Sequence, residues 1–322
     1  MRYTIIFFLL LSVTILSNPF KLDEGHFDTI TDIDKYPFGN IAITVSHDES
    51  IVIWDFSQNK IVNMIELGDG LLSAVAISPG GNYFVVGSER GQIFLYDFNT
   101  QNMISSDKLH KGKVTDIVFS ENEKIFFTSS TDGNIMQYDI EKKNIVKGVS
   151  FPSQVICMGI SLESKQIAAG TENGHIFILN TEDISSFEAI SSAHKDWVTG
   201  LTFSPDGTKL ASVGWDFKLN IFDTSNKNLI KSLAVNTDKP LNCVDWSSDN
   251  KLIAIGSSDF NIYAYNPENY EFIHAFRNGH NGKITGVKFF PDSNVLLSIA
   301  SDAQVNYWNT INKKLEKIYT GY

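Results

Sequence analysis

The chain has few of the residues that build metal sites, disulfide frameworks or cysteine nucleophiles. Its 322 residues include only two cysteines, Cys157 and Cys243, and both lie in apolar stretches typical of strands. Two isolated cysteines make neither a disulfide framework nor a Cys-x-x-Cys zinc motif. The sequence also has no glycine-rich phosphate-binding loop and no cysteine nucleophile motif. We therefore expect no catalytic residues, no cofactor and no bound metal.

Positive charge is also scarce. Lys and Arg number 26 against 37 Asp and Glu, which leaves a formal net charge of -11, and no run of basic residues occurs. A protein with this balance repels phosphate backbones. We therefore expect no nucleic-acid partner.

Residues 1–17 differ from the rest of the chain. Arg2 supplies a positive start, and Tyr3–Leu16 is a mostly apolar run without charge. The run is shorter than the ~20 residues of an ordinary membrane span, but it suits the hydrophobic region of a secretory signal. We interpret residues 1–17 as a signal peptide, which places the chain in the secretory pathway or outside the cell. The alternatives are an uncleaved anchor, which would tether the chain to a membrane, and an upstream extension of a cytoplasmic protein.

One pattern recurs along the remainder, residues 18–322. In the stretch His194–Asp223, three apolar runs are separated by a Pro-Asp-Gly turn and a tight turn, which predicts three antiparallel strands. A more polar run, predicted to be a fourth strand, then leads to the next copy. The tight-turn position recurs every 41 to 43 residues, at Asp48, Arg90, Asp132, Asn173, Asp216, Asp259 and Asp302. This period is typical of four-stranded propeller blades, so we predict one all-β domain of seven blades.

The residue after the tight-turn position varies between copies. Gly91, Gly133 and Gly174 can adopt the positive φ that a two-residue hairpin turn requires. Phe217 and Phe260 occupy this place in the fifth and sixth copies. We therefore expect those two turns to adopt a different geometry.

Two segments compete to complete the last copy. Lys314–Tyr319 reads as its fourth strand, and Phe20-Lys21-Leu22 at the other end of the chain is a candidate for the same edge. The spacing of the C-terminal segment after Trp308 is close to that of the earlier fourth strands. We therefore favour closure by the C-terminal strand.

Four copies share a set of polar residues. Each has a His, a Ser or Thr 18 residues later, the turn Asp, and an aromatic residue at the end of the third strand. The sets are His26, Thr44, Asp48 and Trp54; His110, Thr128 and Asp132 with Tyr138; His194, Ser212 and Asp216 with Phe222; and His280, Ser298, Asp302 and Trp308. With the repeat period, these sets resemble the WD40 repeat family over nearly the whole chain after residue 17.

The resemblance implies a seven-bladed WD40 β-propeller with four antiparallel strands per blade. It also implies that each set forms a structural hydrogen-bond chain rather than a hydrolase triad, because the set repeats at blade period on a buried strand. Phe222 has no donor, so the chain in the fifth copy should end at Ser212. The second, fourth and sixth copies lack the His and the hydroxyl, so we expect complete networks to alternate with apolar blades.

The resemblance further implies that partners meet the top face of the propeller. The residues that we predict to bind a partner are Trp197, Thr199 and Trp215 in the fifth copy, Lys113 and Thr115 in the third, and Lys283 and Thr285 in the seventh. Trp197 and Trp215 stand out because exposed Trp often marks a binding hot spot. The alternative is that the two rings merely stack and cover their own turns.

The expected function is a non-catalytic protein-interaction scaffold, a monomeric propeller within a complex. One alternative is a propeller enzyme or small-ligand binder that uses the central channel, which would require inward-facing polar or carboxylate residues near the axis. Another is a complex subunit that docks through its rim. Fold alone does not choose among them.

Overall fold

The computed structural model describes residues 25–68 and 70–321. These residues form seven separate antiparallel sheets of four strands each, which confirms the predicted seven-bladed propeller. No helix in these two ranges has the length and apolar character needed to cross a bilayer. Residues 1–17, interpreted above as a signal peptide, lie outside the described residues.

The strands follow one another around the ring, four to a blade. Blade 1 contains β1 (Ile30–Lys35), β2 (Ile41–Ser46), β3 (Ser50–Asp55) and β4 (Lys60–Glu66), and blade 2 contains β5 (Leu72–Ile77), β6 (Tyr83–Ser88), β7 (Gln92–Asp97) and β8 (Met103–Lys108). Blade 3 contains β9 (Val114–Phe119), β10 (Ile125–Ser130), β11 (Asn134–Asp139) and β12 (Asn144–Ser150), and blade 4 contains β13 (Val155–Ser161), β14 (Gln166–Thr171), β15 (Ile176–Asn180) and β16 (Phe187–Ile190).

The remaining three blades repeat the order. Blade 5 contains β17 (Val198–Phe203), β18 (Lys209–Gly214), β19 (Lys218–Asp223) and β20 (Leu229–Ala234). Blade 6 contains β21 (Leu241–Trp246), β22 (Ile253–Ser257), β23 (Ile262–Tyr265) and β24 (Phe272–Phe276). Blade 7 contains β25 (Ile284–Phe289), β26 (Val295–Ala300), β27 (Gln304–Asn309) and β28 (Lys314–Thr320).

The position of a strand in its blade explains its composition. Second and third strands such as β3 and β26 are buried along their whole length because a neighbouring blade covers each face. Fourth strands such as β20 form the rim and are mostly exposed. The hydrophobic clusters lie between adjacent blades, as in the cluster that joins Val52 of blade 1 to Leu297 of blade 7.

The C-terminal strand completes the last blade, as we predicted. β28 pairs antiparallel with β27, with Val305 opposite Tyr319. The Tyr319 ring also meets the rings of Phe56 (4.9 Å between centroids) and Trp54 (5.8 Å) in blade 1. The competing segment, Phe20-Lys21-Leu22, lies outside the described residues.

A β-bulge in every first strand links each blade to the next. The bulged residues are Thr31, Ser73, Thr115, Ile156, Thr199, Asn242 and Thr285. Six of them donate a side-chain hydrogen bond to the first carbonyl of the next blade's first strand, at 2.5 to 2.9 Å. Ile156 has no donor, and there the Cys157 thiol lies 3.4 Å from the Val198 carbonyl. Thr285 donates to Ile30 and so closes the ring.

All the tight turns between second and third strands share one geometry. Phe217 (φ 64°) and Phe260 (φ 72°) are left-handed, like Gly91, Gly133 and Gly174 at the same place. Our expectation of a different geometry was therefore wrong. The N–H of each Phe still donates across its turn, to Gly214 and Ser257, because the paired strands impose the hairpin. The left-handed region is unfavourable for a bulky residue, so both turns are strained.

We predict that Phe217→Gly changes the free energy of unfolding by less than about 1 kcal/mol, because relief of the left-handed strain offsets the lost packing of the ring. The matched variant is Gly91→Ala, whose added Cβ would lie 2.2 Å from the His110 carbonyl oxygen. That variant should lose more than about 1 kcal/mol. Urea unfolding followed by circular dichroism measures both. An equal loss in the two variants would show that the Phe217 ring supports the fold.

Candidate functional site

The first blade contains a complete polar chain beneath its top loops. The Trp54 indole N–H donates to the Thr44 hydroxyl (2.7 Å), and that hydroxyl lies 2.7 Å from Nε2 of His26. Nδ1 of His26 lies 3.0 Å from Asp48 Oδ2. The consistent proton arrangement has Thr44 donating to Nε2 and the Nδ1–H donating to the carboxylate. Every buried polar group of the set is thereby paired.

The seventh blade repeats this chain. Trp308 donates to Ser298 (2.8 Å), Ser298 lies 2.7 Å from Nε2 of His280, and Nδ1 of His280 lies 3.1 Å from Asp302. Burial raises the pKa of Asp302, but the hydrogen bond and charge of His280 outweigh that effect and leave the pKa below its usual value. The carboxylate is therefore the stable form at neutral pH.

The third and fifth blades hold shorter chains. His110 contacts Thr128 (2.8 Å) and Asp132 (3.2 Å), but the Tyr138 hydroxyl turns away and donates to Asp107 (2.6 Å). In blade 5, His194 contacts Ser212 and Asp216, each at 2.8 Å. Phe222 is buried and the chain ends at Ser212, as the missing donor requires.

The even-numbered blades lack the histidine and carry a buried aromatic ring on the third strand. Phe94, Phe177 and Tyr263 lie four residues after the turn position in blades 2, 4 and 6, and all three are buried. In blade 4 the rings of Phe151 and Phe177 are 4.7 Å apart. An aromatic residue at this spacing is the sequence signal that could have identified the substitution.

Blade 6 departs from the expected apolar character. Asp259 accepts hydrogen bonds from the Thr237 hydroxyl (2.8 Å) and the Tyr263 hydroxyl (2.5 Å). Our expectation that all three even blades are apolar was therefore wrong for this one. The Tyr hydroxyl occupies the donor role that the imidazole has elsewhere.

The two tryptophans singled out in the sequence lie together on the top face. We use this name for the end that carries the tight turns and the connections from each fourth strand to the next first strand, which antiparallel pairing places on one side. The rings of Trp197 and Trp215 are stacked, with centroids 4.5 Å apart and planes 5° apart. Trp215 nevertheless remains 38% exposed. Stacking therefore holds the pair without removing it from solvent.

The predicted partner-binding residues outside this pair fall into two groups. Thr115, Thr199 and Thr285 are bulge residues, and their hydroxyls donate hydrogen bonds to backbone carbonyls of the next blade. Lys113 and Lys283 have top-face side chains, and Lys113 pairs with Glu89 at 3.1 Å. The structure thus brings the threonines into the ring of inter-blade bonds, and leaves the lysines at the surface.

A ring of charged side chains lines the central channel, a cavity of about 390 Å³. It contains Asp32, Asp34, Asp116, Asp245 and Lys288, none of which we selected from the sequence. Each carboxylate accepts a backbone N–H from the next blade, at 2.7 to 2.9 Å. The inward carboxylates that a channel ligand would require are therefore present, but each already serves as a bridge between blades.

Two of the channel carboxylates have strongly altered acidity. Burial, followed by the charge of Asp116, raises the pKa of Asp32 to about 7. Burial likewise raises the pKa of Asp116 to about 6. Burial lowers the pKa of Lys288, but Asp34 and Asp245 outweigh it, so the pKa is raised and this amine stays charged. The single positive charge of Lys288 therefore cannot neutralise all four channel carboxylates.

The cysteines also line the channel. Burial raises the pKa of the Cys243 thiol to about 12 and raises that of Cys157 well above its usual range. Such thiols are poor nucleophiles because the thiolate is the reactive form. Within the described ranges, no three His, Cys, Asp or Glu side chains are grouped so that they could hold a metal ion.

We predict that Asp216→Ala costs about 1–3 kcal/mol of unfolding free energy, because it leaves the buried His194 and two backbone N–H groups without their acceptor. Glu89→Ala is the matched change in a blade without the network. Its pairs with Lys113 and His47 are partly exposed, so it should cost less than about 1 kcal/mol. Urea melts compare the two, and equal losses would contradict a stabilising role for the network.

We predict that Asp32→Asn alters the pH dependence of stability. The raised pKa means that the stability contributed by Asp32 is fully present below about pH 4 and is lost as the pH rises towards 7. Burial lowers the pKa of His110, so the stability that depends on neutral His110 is lost as the pH falls below about 6.5. This effect opposes the trend from Asp32 and is the same in both proteins. Urea midpoints at several pH values should therefore show a wild-type disadvantage, relative to Asp32→Asn, that grows from pH 4 to 7. Parallel curves would refute the assignment.

Comparisons with known proteins agree on the repeat. A family model described as the WD domain, G-beta repeat matches residues 17–55 and 271–309. The NUP159/214 beta propeller model matches residues 54–200, and the anaphase-promoting complex subunit 4 WD40 domain model matches residues 161–249.

Curated relatives match parts of the chain. Protein NEDD1 of Mus musculus is 36% identical over 30% of this chain and 14% of its own length. COMPASS component SWD3 of Saccharomyces cerevisiae is 27% identical over 37% of each chain. Actin-interacting protein 1-2 of Arabidopsis thaliana is 24% identical over 51% of this chain and 27% of its own. The chain thus spans a minor part of each relative, and the matches share the repeat rather than one subfamily. Together with the seven blades and the His–hydroxyl–Asp chains, these matches make the protein a member of the WD40 repeat family.

Proposed function

We propose that this propeller is a non-catalytic scaffold that binds a partner protein through the top face of blade 5. The observation that carries the proposal is the stacked pair of Trp197, which is half-buried, and Trp215, which is exposed. Large exposed aromatic surface is enriched at binding hot spots, and two stacked rings lose little conformational freedom when a partner covers them.

The names of the matched proteins support a role in assemblies. One relative is named as a COMPASS component and another as an actin-interacting protein, and one matched family model describes a subunit of the anaphase-promoting complex. These names concern the relatives. They favour the same class of function here, a binding surface on a rigid propeller, without naming its partner.

The channel and the rim support other functions less well. The channel carboxylates all bridge neighbouring blades, and the channel thiols are held in their unreactive form. The rim exposes single apolar side chains such as Leu229 and Phe272, which are 53% exposed. Scattered exposed apolar residues are usual on protein surfaces. The stacked pair is the more specific feature.

We predict that the double variant Trp197→Ala, Trp215→Ala keeps the fold and loses the partner. The full chain and its variants would be immobilised and exposed to an extract of the source cells, with bound proteins quantified by mass spectrometry. Proteins enriched by the wild type should fall about tenfold or more in the double variant, because hot-spot residues are removed. Circular dichroism and a urea melt verify folding.

The rim variant Phe272→Ala is the matched control, since it removes one exposed ring from another surface. It should retain every partner. Unchanged capture by a well-folded double variant would refute top-face binding. If only the rim variant lost its captured partners, the binding surface would be the rim.

A further inference from the structure

Four aromatic side chains follow one another across the top face of blades 5 and 6. Trp197 and Trp215 form the stacked pair, Phe217 belongs to the same turn as Trp215, and Phe260 occupies the corresponding turn of blade 6. Trp215, Phe217 and Phe260 are all among the exposed large hydrophobic residues. We call these four residues the aromatic arc.

One connecting segment, residues 235–240, runs from the Phe217 turn of blade 5 to the Phe260 turn of blade 6. At its start the Val235 N–H donates to the Phe217 carbonyl (3.0 Å), and at its end the Pro240 carbonyl accepts from Ser258 (2.8 Å), two residues before Phe260. The segment therefore lies between the turns that carry the two phenylalanines. The exposed side chains of this segment are polar (Asn236, Asp238 and Lys239), so the aromatic rings of the arc lie on neighbouring turns with a polar connection between them.

The geometry of the turn does not account for the two phenylalanine rings. Both are left-handed, at a position where blades 2, 3 and 4 have glycine and blades 1 and 7 have the left-handed residues Glu49 (φ 67°) and Ala303 (φ 60°). The turn itself therefore does not need a ring, and glycine would form it without strain. The chain retains two strained, exposed rings on adjacent blades, beside the only stacked tryptophans of the described residues.

The backbone of the arc has few free N–H groups that could donate to an extended peptide. The N–H groups already engaged with acceptors inside the protein are those of Trp215, Phe217, Val235, Thr237, Lys239, Ser258 and Phe260. Pro240 has no N–H. A partner that adds a strand depends on a row of free backbone groups. Strand addition is therefore a poor mode of recognition on this surface.

The indole groups are available instead. Among the described residues, nothing accepts a hydrogen bond from the indole N–H of Trp197 or Trp215. The adjacent exposed charges occur as neighbours of opposite sign, Lys195 with Asp196 and Asp238 with Lys239. The arc thus presents flat apolar rings and free donors without a net charge. A matching ligand is uncharged, apolar and rich in acceptors.

We propose that the aromatic arc binds a proline-rich segment of a partner protein in the polyproline II conformation. Proline rings stack on aromatic faces, proline carbonyls accept from indole N–H groups, and proline has no N–H that would need an acceptor. The extended helix also forms with little loss of conformational freedom on binding. This inference rests on the proposed use of the top face for partner binding and specifies its chemistry.

Synthetic decaproline is the probe, titrated into the full chain by calorimetry and followed by tryptophan fluorescence. Decaproline should bind with one site per chain and change the indole emission. Trp215→Ala and Phe217→Gly should each weaken binding about tenfold, and Phe217→Gly should do so while the urea melt shows a retained fold. Phe38→Ala removes a ring that is 69% exposed on the opposite face and should leave the affinity unchanged. A Gly-Ser decapeptide should not bind, and decalysine, which the net charge of -11 attracts to the whole surface, should bind the wild type and both arc variants alike.

Three outcomes would overturn the inference: no binding of decaproline at millimolar concentration, decaproline binding that survives both arc variants, or decalysine binding that the arc variants weaken. The last would indicate a site for cationic side chains. Failure of this inference can be distinguished from failure of the scaffold proposal. If the tryptophan double variant loses its cellular partners but decaproline does not bind, the scaffold stands and the proline-rich ligand is rejected. If capture is also unaffected by that variant, both proposals fail.

Discussion

The propeller depends on one repeated interaction, the hydrogen bond from a bulged residue of one first strand to the first carbonyl of the next. Each bulge leaves a residue without a ladder partner and directs a short polar side chain sideways. The bond from Thr285 to Ile30 completes the circle between residues 255 positions apart. An open ring would expose the hydrophobic cluster between blades 1 and 7. Closure therefore holds every blade against two neighbours.

Within the closed ring, buried polar groups form hydrogen bonds inside single blades, and the channel carboxylates form hydrogen bonds between neighbouring blades. The His–hydroxyl–Asp chains occupy the odd-numbered blades, and the third strands of the other blades carry buried aromatic rings. The channel carboxylates accept hydrogen bonds from N–H groups of the following blade, but burial at the axis raises the pKa of Asp32 to about 7 and that of Asp116 to about 6. The same residues thus hold blades together and make the interior sensitive to pH near neutrality.

A rigid ring can carry strained or exposed residues on its surface without loss of the fold. Phe217 and Phe260 keep left-handed conformations because the paired strands on either side define the turn. Trp197 and Trp215 are held by mutual stacking and by the bond between their backbones, yet remain accessible. The proposed binding function follows from this combination of a fixed backbone and exposed rings.

The repeat period and the strand pattern were enough to predict seven blades and the C-terminal closure, and the His–hydroxyl–Asp sets predicted the four polar chains through their resemblance to WD40 repeats. These features are local, since strand length and turn length set the spacing within a blade. The tertiary structure decided which side chains meet between blades: the threonine hydroxyls with the next carbonyls, and Asp32 with Asp116 at the axis. It also decided the left-handed state of Phe217, because strand pairing overrides the local preference of the residue. Contacts between repeats depend on how the blades assemble into the ring, and no spacing within a single repeat encodes that arrangement.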